Sequence, residues 1–332
     1  MNLEQSLPYI FLALMAVSIL MYTVLDGFDL GVGLLLPKDN LEYRNRMIAS
    51  IGPFWDANET WLVLAVGILL IAFPSAHSMV LKSLYLPALF LLIGLILRGV
   101  AFDFRAKAVT RFRELWDKLF WLGSLLATCA QGFMLGMYVM GFEYNLTSIL
   151  FSILSAFCLT NAYRYIGGTW LVMKTEGELQ KFAARKARVA GWITAAGVLA
   201  ICIANPLISE EVAQKWFSMP EAILLLPIPL MCFVILLVND LYLKHAPLEN
   251  DKACWLPFCL TAILFCLCLI GLVYSYYPYV IPNRLLATDA VSSTASLEFI
   301  LYGVVIVLPI IIAYTLLSYW LFRGKSENLS YY

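Results

Sequence analysis

The sequence predicts an all-α integral membrane protein with nine transmembrane helices. Of its 332 residues, 62% are hydrophobic and only 13% are charged, and the mean hydropathy is +0.84, a balance that soluble domains do not reach. At about 1.5 Å per residue, each apolar stretch can cross about 30 Å of hydrocarbon. The nine stretches cover residues 8–36, 53–73, 78–102, 116–142, 146–173, 187–208, 222–243, 255–281 and 295–322.

The distribution of basic residues predicts the orientation of these spans. Lys and Arg cluster in the loops that follow the first, third, fifth, seventh and ninth spans, whereas the opposite loops hold only Lys82, Lys215 and Arg284. By the positive-inside rule, the N-terminus is expected outside and the C-terminus in the cytoplasm. The first span is long and its N-terminus is poor in basic residues, so we expect a retained helix rather than a cleaved signal peptide.

Ionisable residues lie in or beside the first three spans, where charge costs several kcal/mol unless it has a partner or a task. One interpretation is a proton or cation pathway that opens to the cytoplasm. The alternative is that the acids neutralise an intramembrane arginine, and both interpretations can hold together. Trp55 has a further alternative as an interfacial anchor. The ionisable residues are Asp26 and Asp29 in the first span, Asp56 and Glu59 at the start of the second, and Arg98, Asp103 and Lys107 at the end of the third. Trp55 and Asn58 are their neighbours in the second span.

Two glycine patterns bear on helix packing. Asp26 and Asp29 are three residues apart and share a helix face, while Gly27 and Gly31 form a step that lets another helix approach closely. Gly167 precedes a basic loop in a similar way, which raises the hypothesis that helices five to eight are a divergent copy of helices one to four. In that case we expect the functional residues in helices one to four, because this copy carries the acids.

The sequence excludes several kinds of site. Its two histidines, His77 and His245, lie near the ends of spans, so bis-histidine ligation of a heme within the membrane is not expected. No phosphate-binding loop, zinc signature or nucleophile elbow is present. We therefore expect no heme ligand and no metal site in this chain, and no nucleic-acid partner.

The motifs together resemble subunit II of the cytochrome bd-type quinol oxidases, including the cyanide-insensitive branch. The resemblance rests on residues 26–33 (DGFDLGVG), 52–62 (GPFWDANETWL), Arg98 with 102–107 (FDFRAK), 277–282 (YPYVIP), and Pro309 with Tyr314 and Thr315. It covers essentially the full length. It implies two four-helix bundles, residues 1–142 and 143–282, followed by residues 283–332 with an outer loop, the ninth helix and a cytoplasmic tail.

The resemblance also implies a function in the bacterial cytoplasmic membrane. The partner, subunit I, is expected to carry heme b and heme d, or a heme b variant, and to oxidise quinol while oxygen is reduced to water. This chain is expected to support subunit I and to help supply cytoplasmic protons, contributing to the proton motive force. The family's proton path matches Lys107, Asp103 and Asp56, and Asp29 and Glu59 are further candidates; Asp26, Arg98, Trp55 and Asn58 are expected to pair ions or support the structure.

Several points stay open at the level of sequence. A quinone bound in this subunit, small single-helix accessory subunits and membrane lipid are further candidate partners. Ala57 stands where the family usually has glycine, and residues 283–289 depart from the Ser/Pro-rich pattern of the family's outer loop. The alternative function is a stand-alone proton-coupled secondary transporter, which intramembrane acids and an internal repeat would equally permit.

Overall fold

The computed structural model describes residues 3–107, 110–219, 221–248 and 251–326, and its regular structure is almost entirely helical. The end of the predicted tail, residues 327–332, lies outside this range. The helices are α1 (Leu3–Leu34), α2 (Leu41–Ala49), α3 (Trp55–Ala72), α4 (Pro74–Lys107), α5 (Thr110–Val139), α6 (Leu146–Lys174), α7 (Gly177–Ile208), α8 (Glu210–Phe217), α9 (Glu221–Leu225), α10 (Pro227–His245), α11 (Leu256–Tyr276), α12 (Ala287–Ala290) and α13 (Thr294–Leu321).

The prediction of nine spans is confirmed. Within the described residues, nine helices are long and apolar enough to cross a membrane. They are α1, α3, α4, α5, α6, α7, α10, α11 and α13. The remaining helices are short and lie in the connections between spans.

Several predicted boundaries were wrong, and three of them have a clear physical reason. The helix predicted from residue 187 begins at Gly177, because Ala, Lys and Arg are strong helix formers and continue the helix beyond the apolar stretch. The stretch 222–243 is interrupted at Leu226, and α10 begins at Pro227, whose missing N–H is tolerated at a helix start. The stretch 255–281 is helical only to Tyr276, because Pro278 disfavours helical geometry at the residue before it.

The predicted outer loop contains a small antiparallel hairpin. Strand β1 (Tyr279–Ile281) pairs with β2 (Leu285–Leu286), and α12 follows directly. Val280, Ile281 and Ala287 are buried in a hydrophobic cluster with Leu7 and Phe11 of α1. The hairpin thereby covers one end of the bundle.

Helix α1 occupies a central position, in contact with α3, α5, α6 and α11. The close approach predicted for its glycine step is confirmed, since a Cβ on Gly31 would lie 1.8 Å from the carbonyl oxygen of Tyr163 and 3.0 Å from Cα of Gly167. Only glycine fits at this crossing of α1 and α6. The crossing sets the depth at which α1 presents its two aspartates.

We expect Gly31→Ala to destabilise the protein, because the added methyl group meets backbone atoms that cannot rotate away. Overpacking a tight core typically costs about 1–3 kcal/mol, and a backbone clash belongs at the upper end of that range. A thermal melt of the purified complex measures the effect. Gly67→Ala in α3 is the matched control, because no heavy atom lies within 4 Å of its added Cβ; equal melting temperatures for the two variants would contradict the tight crossing.

Candidate functional site

A buried ion cluster joins α1, α3 and α4. Nη1 of Arg98 lies 2.6 Å from Oδ1 of Asp26, and its Nη2 donates to Oε1 of Glu59. Asp26 and Arg98 are almost fully buried, whereas Glu59 is half-buried. An unpaired guanidinium within a span is costly, and two carboxylates satisfy it from two sides. The cluster therefore ties three spans together.

Asp29 belongs to a second buried contact on the same side of α1. Nδ2 of Asn58 donates to Oδ2 of Asp29 at 2.8 Å and to the carbonyl oxygen of Leu25 at 3.2 Å. The hydroxyl of Tyr319 in α13 donates to Oδ1 of Asn58 at 3.1 Å. Asn58 thus uses both ends of its amide to connect α3 to α1 and α13. Asp29 is held in place through this amide.

The other two acids lie on the surface of the chain. Asp56, Asp103 and Lys107 are all exposed. The rings of Trp55 and Phe102 pack with centroids 4.9 Å apart, which brings the following residue of each, Asp56 and Asp103, into electrostatic contact. We call Asp56, Asp103 and Lys107 the exposed acidic edge. Trp55 of α3 thus packs against Phe102 of α4.

A salt-bridge network fixes the end of α4 that carries this edge. Nε of Arg105 lies 2.5 Å from Oδ1 of Asp117 in α5, and Nε of Arg44 in α2 lies 2.8 Å from Oδ2 of the same carboxylate. Nη2 of Arg105 also donates to Oδ1 of Asn45 at 2.7 Å. Arg44, Arg105 and Asp117 are buried. The last turn of α4, with Lys107, is therefore held in a defined direction.

Aromatic rings and one buried lysine support the start of α3. Phe54 packs edge-on against Trp170 of α6, with centroids 5.5 Å apart. Nζ of Lys174 lies 5.3 Å from the Phe54 ring centroid and 5.2 Å from that of Trp170. The same ammonium donates to the carbonyl oxygens of Phe322 and, at 3.0 Å, Gly324. The chain after α13 is thereby fastened to α6 next to the residues that position Asp56.

Three further residues of this region were not predicted from the sequence. Nε2 of Gln131 donates to the hydroxyl of Tyr22 at 2.6 Å, and the hydroxyl of Tyr163 donates to Oε1 of Gln131 at 2.7 Å. Tyr22 is also in electrostatic contact with Asp26. A signal was available for Tyr22, because it stands four residues before Asp26 and shares its helix face. Gln131 and Tyr163 could not be assigned to the cluster, because only the fold brings them to Tyr22.

The histidines of this chain do not fit axial ligation of a heme inside it. His245 is exposed in the last turn of α10, where its Nδ1 contacts the carbonyl oxygen of Leu241 at 2.9 Å. His77 is partly exposed in the first turn of α4. In the part of the chain that the structure describes, no three His, Cys, Asp or Glu side chains are grouped to hold a metal ion.

Comparison with known proteins identifies the family of this chain. A family model described as cytochrome bd terminal oxidase subunit II matches residues 7–322. The chain belongs to that family. It is 30% identical over 366 aligned residues to cytochrome bd-I ubiquinol oxidase subunit 2 of Escherichia coli K12, with 96% of this chain and 95% of the relative covered. It is 27% identical to cytochrome bd ubiquinol oxidase subunit 2 of Bacillus subtilis, with 97% and 98% covered.

A solved structure shares the fold. A chain of the bd oxidase from Geobacillus thermodenitrificans superposes with a TM-score of 0.76 at 18% identity, covering 96% of this chain and all of that one. The protein is thus a subunit of a cytochrome bd quinol oxidase, a respiratory oxidoreductase with hemes, a subunit I partner and a quinol substrate. It is a multi-pass protein of the bacterial cytoplasmic membrane.

We expect Arg98→Leu to reduce the amount of assembled complex strongly. The change leaves Asp26 and Glu59 without their cation, and breaking a buried ion pair costs about 3–5 kcal/mol. Native gel electrophoresis of solubilised membranes measures assembly. Arg284→Leu is the control, because Arg284 is exposed and lies 3.7 Å from its acid, Glu143. Equal yields of the two variants would show that the buried pairing is dispensable.

Proposed function

We propose that this chain is the accessory subunit II that supports a heme-bearing subunit I and delivers cytoplasmic protons toward the site of oxygen reduction. In this proposal subunit I carries heme b and heme d, or a heme b variant, and reduces oxygen to water. The oxidase then contributes to the proton motive force.

In the proposed topology, the N-terminus lies outside and the C-terminus in the cytoplasm. Residues 1–142 and 143–282 form the two bundles. Small single-helix subunits and lipid complete the assembly.

The observation that carries the proposal is the exposed acidic edge. Two carboxylates stand together on the surface at the end of two apolar helices, and exposure of such groups to hydrocarbon is costly. Their position suits a surface that contacts water or the polar groups of a partner subunit. Because the basic loops predict that this end is cytoplasmic, protons arriving from water would meet Lys107 and Asp103 first and Asp56 next.

Glu59 and Asp29 extend the proposed path inward. Glu59 follows Asp56 by three residues, is half-buried, and touches Arg98. It therefore lies one helical turn deeper than Asp56, on the border between the exposed edge and the buried cluster. Asp29 is fully buried behind Asn58. We assign Glu59 to the path and give Asp29 a role in holding Asn58, on which the direction of α3 depends.

The stand-alone transporter is not favoured. Membership of the family places the chain in an oxidase complex, whereas a transporter would carry out its function alone. An absorption spectrum of the purified native complex separates the two. Heme bands with a larger partner in equal amount support the oxidase subunit, and a colourless single chain would support the transporter.

We expect Asp56→Asn to assemble with its hemes but to reduce oxygen about tenfold or more slowly, because the variant keeps the size of the side chain and loses its titrating proton. Oxygen consumption and membrane potential in proteoliposomes measure the effect. Asp103→Asn should be milder, since Lys107 and water can substitute at the exposed edge. Asp39→Asn, an exposed loop position, is the control. Wild-type activity of Asp56→Asn across physiological pH would mean that protons enter through subunit I instead.

We also expect the chain expressed without subunit I to bind no stoichiometric heme, because its two histidines lie at helix ends. Pyridine hemochrome assay of the purified chain measures heme per polypeptide. The native complex treated identically is the positive control. A heme-loaded, partner-free chain would overturn the proposed division of labour.

A further inference from the structure

A second polar feature lies at the same end of the molecule, on α7, away from the acidic edge. A surface groove of about 430 Å³ is lined by Arg185, Arg188, Val189 and Trp192. Arg185, Val189 and Trp192 are exposed, and Arg188 is partly buried against α10. The proposed proton path uses none of these residues.

A carboxylate holds one wall of the groove in place. Oδ1 of Asp240 in α10 accepts from Nε of Arg188 at 2.7 Å, and Oδ2 accepts from Nη2 at 3.1 Å. The indole Nε1 of Trp192 donates to the same Oδ1 at 3.0 Å. Asp240 therefore binds the Nε and Nη2 edge of the Arg188 guanidinium. Nη1 of Arg188 points away from this carboxylate. Planar donors held in this way suit a second acceptor such as a phosphate.

Positive charge exceeds negative charge around the groove. Asp240 interacts electrostatically with Arg188 and Lys244, and Arg185 lines the groove together with Arg188. The nearby Glu178 is bonded to Lys181, with Nζ and Oε1 2.8 Å apart, and also interacts electrostatically with Arg185. The local excess of cations favours an anionic ligand.

A single exposed stripe continues from the groove along α7. Its members are spaced three or four residues apart, which places them on one helix face. From Arg188 to the far end of the stripe is about 22 Å at 1.5 Å per residue, enough to follow an acyl chain through one leaflet. The exposed members are Arg185, Val189, Trp192, Ala196, Leu199 and Ile203.

We propose that this stripe binds one anionic phospholipid of the leaflet on the basic side of the membrane. The phosphate accepts hydrogen bonds from Arg185 and from the outer edge of Arg188. Trp192 lies at the depth of the glycerol, where amphipathic rings are favoured. One acyl chain follows Val189, Ala196, Leu199 and Ile203. The guanidinium–carboxylate–indole contact among Arg188, Asp240 and Trp192 shapes the headgroup end of the site.

Native mass spectrometry of the whole oxidase complex in detergent tests this proposal. Phosphatidylglycerol is added to delipidated complex, and the dissociation constant of the tightest lipid is measured. A basic residue near an anionic headgroup contributes about 1 kcal/mol, or about 5-fold in affinity, so Arg185→Gln should weaken binding about 5-fold and Arg185→Glu about 30-fold. Phosphatidylcholine should bind much more weakly, and inorganic phosphate should not displace the lipid.

The matched control is Lys38→Glu, at an exposed loop position outside the groove. It changes the net charge by the same amount as Arg185→Glu, so general attraction of anionic lipid is affected equally. We expect Lys38→Glu to change the dissociation constant less than about twofold. Equal weakening by the two variants would show diffuse attraction and overturn the site. Equal binding of phosphatidylcholine, or displacement by inorganic phosphate, would also overturn it. None of these three results bears on the proton path.

Discussion

The buried guanidinium of Arg98 is the constraint on which the first three spans depend. Its carboxylate partners come from two other helices, Asp26 from α1 and Glu59 from α3. Without these partners a cation at that depth would be expelled or would distort the helix packing, so the register of all three helices must satisfy it together. Helix α1 is in turn placed by the contact of Gly31 with α6. The placement of α1 and α3 in turn determines where Asp29 and Asp56 lie.

The carboxylates fall into two electrostatic classes. Asp26 and Asp29 are buried and held by fixed partners, which suits a structural role. Asp56 and Asp103 are exposed beside each other on one surface, where a partner subunit or water can reach them. Glu59 lies between the two classes. A single helix, α3, therefore connects the part that holds the fold together to the part proposed to move protons.

The start of α3 is supported from a distant part of the chain. Rings from α1, α6 and α13 meet there, with Phe28 stacked 4.0 Å from Trp170 and Tyr319 packed 4.6 Å from Phe54. Lys174 adds a cation against these rings and fastens the chain after α13. Lys174 and Tyr319 thus help to hold Phe54 at the start of α3, next to the turn that carries Asp56.

The sequence by itself determined the fold class, the nine spans and the residue types at the site. Hydrophobic length and the penalty on charge in a membrane act locally, so they can be read from residues such as Asp29, Asp56 and Arg98 without a structure. For the same reason the sequence could predict that Arg98 needs an acid. Boundaries were less predictable, because helices such as α7 continue beyond the apolar segment and the break before Pro227 depends on backbone geometry.

Only the tertiary structure decided which acid pairs with which base. Asp26, Asp29, Asp56 and Glu59 look alike in sequence, each a carboxylate within an apolar span or at its start. Their difference in burial comes from helix rotation, which is set by packing between helices far apart in the chain. The contacts of Gln131 and Lys174 could not be predicted for the same reason, because their partners come from other helices and from the segment after α13. Composition and spacing show which charges must be satisfied, and the fold alone selects the partners.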